Sequence, residues 1–267
     1  MKLNWLWTLL VGVGLFFITD ATMQSTGNPN FFPTVIMLGS FVVPITFITF
    51  FYEHIRDRDI PLAVLGGTFL LGGAIGTIAA GLLEYSTLTS SSVASLFGVG
   101  FIEESAKLIV PLILFISWKY RHQADGLLFG VTVGMGFAAL ETMGYALVTL
   151  IQSQGDVSAM NQVLLVRGLL APAGHGAWTG IICAVLWRER AKAGKITINA
   201  WVIGAFVLAV LLHSLWDIVN SQDSNIVVYG GMMILAVVSL GVLLKLYMDA
   251  RKEPGFVPAK QTAPTPG

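Results

Sequence analysis

Residues 125–150 read DGLLFGVTVGMGFAALETMGYALVTL, an apolar run that contains only two charged side chains, Asp125 and Glu141. A helix needs about 20 mostly apolar residues to cross the hydrocarbon core of a bilayer, so this run is long enough. Small residues recur along it at a four-residue spacing, at Gly126, Gly130, Gly134 and Ala138. This spacing places them on one helix face, where a second helix can approach closely. The run therefore predicts a membrane-spanning helix inside a helical bundle.

The rest of the chain has the same character. Of its 267 residues, 55% are hydrophobic and 11% are charged, whereas soluble domains carry about 25% charged residues. Further apolar runs of spanning length lie at roughly 3–19, 31–52, 61–83, 95–118, 163–187, 197–219 and 226–247. The sequence thus predicts an all-α, polytopic membrane bundle of about eight transmembrane helices. It forms a single domain over 1–252, and the proline-rich stretch 253–267 is expected to be a disordered cytoplasmic tail.

Basic residues predict the orientation of this bundle. No Lys or Arg occurs in the predicted loops 20–30, 84–92, 152–162 and 220–225, whereas the loops at the other side are rich in both. Because cytoplasmic loops carry the excess of Lys and Arg, we expect both termini to be cytoplasmic. We also expect the bundle to lie in the plasma membrane.

Composition also excludes some classes of function. Lys and Arg number 15, as do Asp and Glu, so net basicity gives no reason to expect a nucleic-acid partner. The single cysteine, Cys183, excludes an internal disulfide and any multi-cysteine metal site. The oligomeric state is not indicated.

Charges within the apolar runs need a reason, because each is expensive in a membrane. In the run 95–118, Glu103 and Glu104 are adjacent and Lys107 follows at helical spacing from both. A single Glu–Lys pair would suit a structural ion pair, but the second glutamate is surplus to that purpose. Two carboxylates this close cannot both ionise cheaply, which favours a general base or acid.

Three later runs carry further polar groups. Glu141 comes three residues after Ala138, so it lies on or next to the small-residue face of its helix. His175 lies between two glycines, shortly after Pro172, which is expected to loosen the helix. His213 and Asp217 are one turn apart on one face. Arg167 lies near the outer end of its run, and we expect its side chain to reach the lipid headgroups.

These groups fall at similar depths. With about 1.5 Å of rise per residue, the predicted topology puts them at one level in the outer half of the membrane. We therefore expect them to meet in one site, which comprises Glu103, Glu104, Glu141, His175 and His213, supported by Lys107 and Asp217.

Two kinds of chemistry suit this set. Two imidazoles and a carboxylate are ligand types of a catalytic zinc, so His175, His213 and Glu141 are the predicted ligands of Zn²⁺ or another divalent metal. Asp217 would then be a fourth ligand or would orient His213. In that arrangement Glu103 or Glu104 is the base that activates water. A site without any cofactor needs only a glutamate and a histidine to activate water, with a polar group as oxyanion donor.

Four short motifs occur in order on successive predicted helices: Glu103-Glu104-x-x-Lys107, Phe137-x-x-x-Glu141, His175 and His213-x-x-x-Asp217. In this order they resemble the PrsW family of intramembrane proteases. The related CAAX-type prenyl proteases and bacteriocin-processing enzymes carry EExxxR, FxxxH and HxxxN instead. The resemblance covers residues 95–220, the expected catalytic core. It implies that the glutamate pair, Glu141 and both histidines are catalytic, and that the partners are membrane-protein substrates such as anti-sigma factors.

The residues alone leave other classes open. Carboxylates and histidines inside a bundle also form the proton relays of proton- or cation-coupled transporters, although no internal repeat is evident. A non-catalytic scaffold, in which the polar cluster joins helices, is a further alternative.

Overall fold

The computed structural model describes residues 3–55, 60–88 and 92–253, and these residues contain helices but no β-strand. The predicted tail lies outside the described residues, apart from Glu253. The helices are α1 (Asn4–Thr26), α2 (Phe32–Ile55), α3 (Leu62–Thr87), α4 (Val93–Lys107), α5 (Ile109–Ile116), α6 (Gln123–Gln152), α7 (Val157–Leu170), α8 (Ala177–Ala193), α9 (Ala200–Asn220) and α10 (Asn225–Ala250). A 3₁₀ turn, Pro29–Phe31, precedes α2, and a π-helical turn, Pro172–Gly176, joins α7 to α8.

The all-α class agrees with the prediction. Within the described residues, 7 helical segments are long and apolar enough to cross a membrane, and one of them, Val157–Ala193, combines α7, the π turn and α8. The predicted span 95–118 is different, because it consists of two shorter helices, α4 and α5, that meet at Leu108.

Prolines account for both interruptions. Pro111 has no N–H to donate to the carbonyl of Lys107, four residues earlier, and its ring clashes with that carbonyl. Pro172 has the same effect on α7. There Gly174 has φ −94° and ψ −117°, outside the helical region. The loosening before His175 was therefore predicted correctly, whereas the break at Leu108 was not.

Helix α6 lies at the centre of the bundle, between α3 and α8. A Cβ atom on Gly134 would lie 2.1 Å from the carbonyl oxygen of His175, and the other two glycines of the stripe meet α8 in the same way. On the other side, a Cβ atom on Gly136 would lie 2.2 Å from the carbonyl oxygen of Phe69 on α3. Close backbone packing on both sides thus fixes α6, and the predicted small-residue face is confirmed.

Candidate active site

Lys107 is the centre of the polar cluster. Its side chain is fully buried, and Nζ donates to Glu103 Oε2 at 3.0 Å, to Glu104 Oε1 at 2.8 Å and to His175 Nδ1 at 2.8 Å. An ammonium group has three N–H donors, so each has an acceptor. Nζ also lies 4.1 Å from the centre of the Phe137 ring, which faces the cation. Lys107 therefore contacts both glutamates and His175.

The two glutamates have different surroundings. Glu104 is completely buried, and it accepts hydrogen bonds from Lys107, from His213 Nδ1 at 3.0 Å and from Thr179 Oγ1 at 3.3 Å. Glu103 instead lines a cavity and turns Oε2 toward both imidazoles. The structure therefore separates an anchored carboxylate from one that faces the cavity.

His213 is oriented from two sides. Its Nδ1 hydrogen-bonds Glu104, so Nε2 is left to face Glu103 Oε2 at 3.5 Å and Asp217 Oδ2 at 3.6 Å. The indole of Trp178 stacks on the imidazole with the ring centroids 4.6 Å apart and an interplanar angle of 24°. Trp178 is itself held, because Nε1 donates to the buried Ser239 Oγ at 3.0 Å.

His175 contacts a second carboxylate. Because Nδ1 accepts from Lys107, Nε2 carries the proton and donates to Glu141 Oε2 at 3.0 Å. The same oxygen of Glu141 accepts from Arg167 Nη2 at 2.5 Å. The expectation that Arg167 reaches the lipid headgroups is therefore wrong, since its guanidinium turns inward and lies 4.1 Å from the centre of the Tyr145 ring.

One large cavity lies beside this cluster. It has a volume of about 1050 Å³, and its lining includes Glu103, Glu141, Arg167, His175, His213 and Asp217. The cavity is also lined by Asn220 and Ser221 at the end of α9, so polar groups extend from the imidazoles toward one end of the bundle. Water can therefore reach the side chains that line the cavity. The five side chains expected to meet do lie in one cluster, and their catalytic role stays a prediction.

The cluster also fits a divalent cation. Ligand atoms of Glu103, His175 and His213 all lie within 4.8 Å of one another. Two imidazoles and a carboxylate form a donor set typical of catalytic zinc. This group differs from the predicted ligand set in its carboxylate, because Glu141 lies on the far side of His175, against Arg167. Both nitrogens of His175 already have hydrogen-bond partners, so His175 would exchange one of them on binding a cation.

Comparison with known proteins agrees with this chemistry. A family model described as PrsW family intramembrane metalloprotease matches residues 60–244, more than half of the chain. The chain belongs to the PrsW family. As a PrsW-family protein it is an intramembrane peptidase and a multi-pass membrane protein. The match extends beyond the predicted core, from the residues before α3 into α10.

Curated PrsW relatives are similar over much of their length. Protease PrsW of Halalkalibacterium halodurans is 28% identical over 178 residues, which cover 64% of this chain and 76% of the relative. Protease PrsW of Clostridioides difficile is 24% identical over 219 residues, or 78% of this chain and 87% of the relative. Protease PrsW of Bacillus subtilis is 29% identical over 140 residues, which cover 52% of this chain and 59% of the relative. No solved structure matches the chain significantly.

Several contributors to this PrsW site were missed from the sequence. Arg167 has the only charge in its helix, a signal that fits a headgroup contact equally well. Thr179 and Ser239 are ordinary residues of apolar helices, and only the packing of α8 and α10 brings them to Glu104 and Trp178. No spacing rule within one helix could identify them.

Proposed function

We propose that the protein is an intramembrane endopeptidase that hydrolyses peptide bonds of membrane-anchored proteins, for example regulators of the anti-sigma type. The observation that carries the proposal is the position of Glu103. Its Oε2 lies 3.5 Å from His213 Nε2 and 3.9 Å from His175 Nδ1, at the wall of a cavity large enough for a peptide segment. A carboxylate and two imidazoles at a water-accessible wall support hydrolysis.

Glu103 is the proposed general base. It faces the cavity, where it takes a proton from water and returns it to the leaving amine. Glu104 is the proposed orienting carboxylate, because all its contacts are with other site residues and it does not face the cavity. It holds His213 through Nδ1 and holds Lys107, which in turn fixes Glu103.

The histidines are the groups nearest to the reacting atoms. Both histidines line the cavity, and the ring of His175 makes an edge-to-face contact with Trp178. Glu141 fixes the tautomer of His175, and Asp217 faces His213 Nε2 from one turn further along α9. Arg167 lies at the same wall and holds Glu141 in place.

The site also supports a metal-dependent variant of this proposal. Glu103, His175 and His213 would hold a divalent cation such as Zn²⁺, which supplies a Lewis acid and makes a bound water more acidic. Lys107 would then balance the charge of the glutamates while Glu104 keeps His213 in its orientation.

The location is proposed from the distribution of charge. Both termini lie in the cytoplasm and the polar end of the cavity faces outward, because the loops at that end lack Lys and Arg. Cleavage would then take place in the outer half of the plasma membrane.

Cleavage of a defined probe tests the proposal. The purified protein, in vesicles, is mixed with a fusion whose single spanning segment contains a Gly-Pro pair in its outer third. We expect one cut in that segment, with ¹⁸O from labelled water in the new carboxyl terminus. Glu103→Gln should abolish the cut, whereas Glu84→Gln, which changes another carboxylate at the cavity wall, should retain it.

Failure of the cut in the unaltered protein, or equal activity of the two variants, would contradict the assignment. Chelation followed by metal analysis of the active preparation distinguishes the metal-dependent mechanism from the metal-free one. Activity that falls on chelation and returns only with a divalent cation supports the metal-dependent one.

A further inference from the structure

One stretch of the cavity wall has little packing between the helices on either side of it. Around the cavity, α6 packs on α3, α3 on α4, α4 on α9 and α9 on α10, and α6 also packs on α7. Among the described residues, α7 and α10 both line the cavity but do not pack extensively on each other. A gap between these two helices therefore interrupts the wall.

The gap connects the cavity with the apolar outer surface. On α7, Gln162 and Val166 line the cavity, and the adjacent Leu169 is 67% exposed. On α10, Tyr229 lines the cavity while 51% of it is exposed, and the adjacent Met233 is 61% exposed. In a membrane these exposed apolar side chains contact lipid, so each edge of the gap has one face in lipid and the other in the cavity.

The gap also has a floor. The π turn Pro172–Gly176 contacts both α7 and α10, and this turn carries His175. The opening therefore runs from the end at which α7 and α10 begin down to the level of the imidazoles, and no deeper. A segment that entered through it would arrive directly beside Glu103 and His213.

We propose that the gap between α7 and α10 is the entrance through which one spanning segment of a substrate passes sideways from lipid into the cavity. This rests on the proposed function. The occupant is an apolar helix that is locally unwound near its outer end. Unwinding is required because an intact helix keeps its carbonyls in internal hydrogen bonds, and lipid offers none to replace them.

The cavity supplies such replacements beside the gap. Arg167 and Gln162 on α7 line it, as do Thr142 and Thr149 on α6, and all four carry polar side chains. Backbone groups released from a substrate helix can therefore pair as soon as the segment has passed the gap. Segments with glycine or proline in the outer third should enter most readily, because they lose the least helical hydrogen bonding.

Photo-crosslinking tests the entrance independently of hydrolysis. In the inactive Glu103→Gln protein, p-benzoylphenylalanine replaces Tyr229 or Val166 at the gap, or, as a control, Leu70, a 56% exposed side chain on α3. The probe is the Gly-Pro fusion in phosphatidylethanolamine–phosphatidylglycerol vesicles. We expect several-fold more capture of the probe at Tyr229 and Val166 than at Leu70. We also expect less capture of a fusion whose segment is uninterrupted Leu-Ala.

Equal capture of the probe at all three positions would overturn the proposal. So would capture at Tyr229 of phospholipid alone, or of a second copy of this chain, because either would identify a different occupant of the gap. The result is separable from the proposed function. Capture at the gap without cleavage by the unaltered enzyme would leave the entrance standing and the hydrolysis refuted. Cleavage without preferential capture would do the reverse.

A second experiment closes the gap. After the single cysteine is removed by Cys183→Ala, Gln162→Cys and Tyr229→Cys are joined by a bis-maleimide. Joining should abolish cleavage of the fusion but retain cleavage of fluorescent casein, a disordered soluble polypeptide that can enter from the polar end. Each single-cysteine protein, treated in the same way, is the control. Undiminished cleavage of the fusion by the joined protein would refute the entrance.

Discussion

Arg167 on α7 and His175 in the π turn share one acceptor, since Arg167 Nη2 lies 2.5 Å and His175 Nε2 lies 3.0 Å from Oε2 of Glu141. Arg167 thus holds the same carboxylate oxygen that accepts from the imidazole. Because Glu141 fixes the tautomer of His175, the position of a histidine at the centre of the site depends on a cation that does not touch it.

Replacement of Arg167 by methionine should therefore reduce activity through Glu141. Partners that orient a histidine in this way typically contribute about 10–100-fold, and we expect a loss of this size in kcat with little change in KM. Arg167→Lys keeps the charge but not the planar guanidinium, so its kcat should lie between that of the unaltered protein and that of Arg167→Met. Initial rates of cleavage of the Gly-Pro fusion measure both effects.

The matched control is Arg188→Met. Arg188 also pairs with a glutamate, Glu189, at 2.8 Å, but on α8 away from the cavity. If Arg167→Met were no more harmful than Arg188→Met, Glu141 would not depend on its guanidinium partner.

The two adjacent glutamates should differ in what their loss does. Glu104→Gln places an amide among three donors in a fully buried position, so we expect it to lower the stability by about 1–3 kcal/mol as well as to abolish cleavage. Glu103→Gln changes a carboxylate at the cavity wall, and we expect it to abolish cleavage while the thermal unfolding temperature stays the same or rises. Thermal unfolding in detergent and cleavage by the same samples separate the two roles. Equal unfolding temperatures would contradict the distinction.

The site could be predicted from the sequence to the extent that single helices define it. Glu103, Glu104 and Lys107 lie within one turn, so their contacts follow from helical spacing alone. The small residues of α6 likewise predict its close packing on α8. Charges in a membrane are rare enough that their common depth indicated a common site.

The rotation of each helix about its own axis, and the break between α4 and α5, could not be predicted in this way. Whether Arg167 faces lipid or Glu141 depends on how α7 turns on α6, and both orientations satisfy its hydropathy. The candidate metal site contains a different carboxylate from the predicted one for the same reason. Glu141 contacts His175 together with Arg167, whereas Glu103 lies near both imidazoles. Pro111 does carry a usable signal for the break at Leu108, since it removes the donor for the carbonyl of Lys107.

The hydrogen bond from Trp178 to Ser239 should affect catalysis through His213. Ser239→Ala removes the acceptor of a buried indole N–H, which costs roughly 0.5–1.5 kcal/mol, and it frees the ring that stacks on His213. We expect a moderate fall in kcat and an unchanged KM for the Gly-Pro fusion. Ser105→Ala is the control, because the Ser105 hydroxyl bonds only within α4, to Phe101. Identical kinetics of the two variants would refute the link between α10 and the site.

The close approach of α6 to the π turn gives the sharpest test of the geometry. A Cβ atom at Gly134 would lie 2.1 Å from the carbonyl oxygen of His175, and neither backbone can yield without moving the imidazole away from Glu141. Gly134→Ala should therefore lower the stability by about 1–3 kcal/mol and abolish cleavage. Gly144, on the same helix, has nothing within 4 Å of such an atom. Gly144→Ala should be neutral or stabilise the helix by up to about 1 kcal/mol. Thermal unfolding and cleavage of both variants decide the matter, and a stable, active Gly134→Ala protein would mean that α6 does not pack against the turn that carries His175.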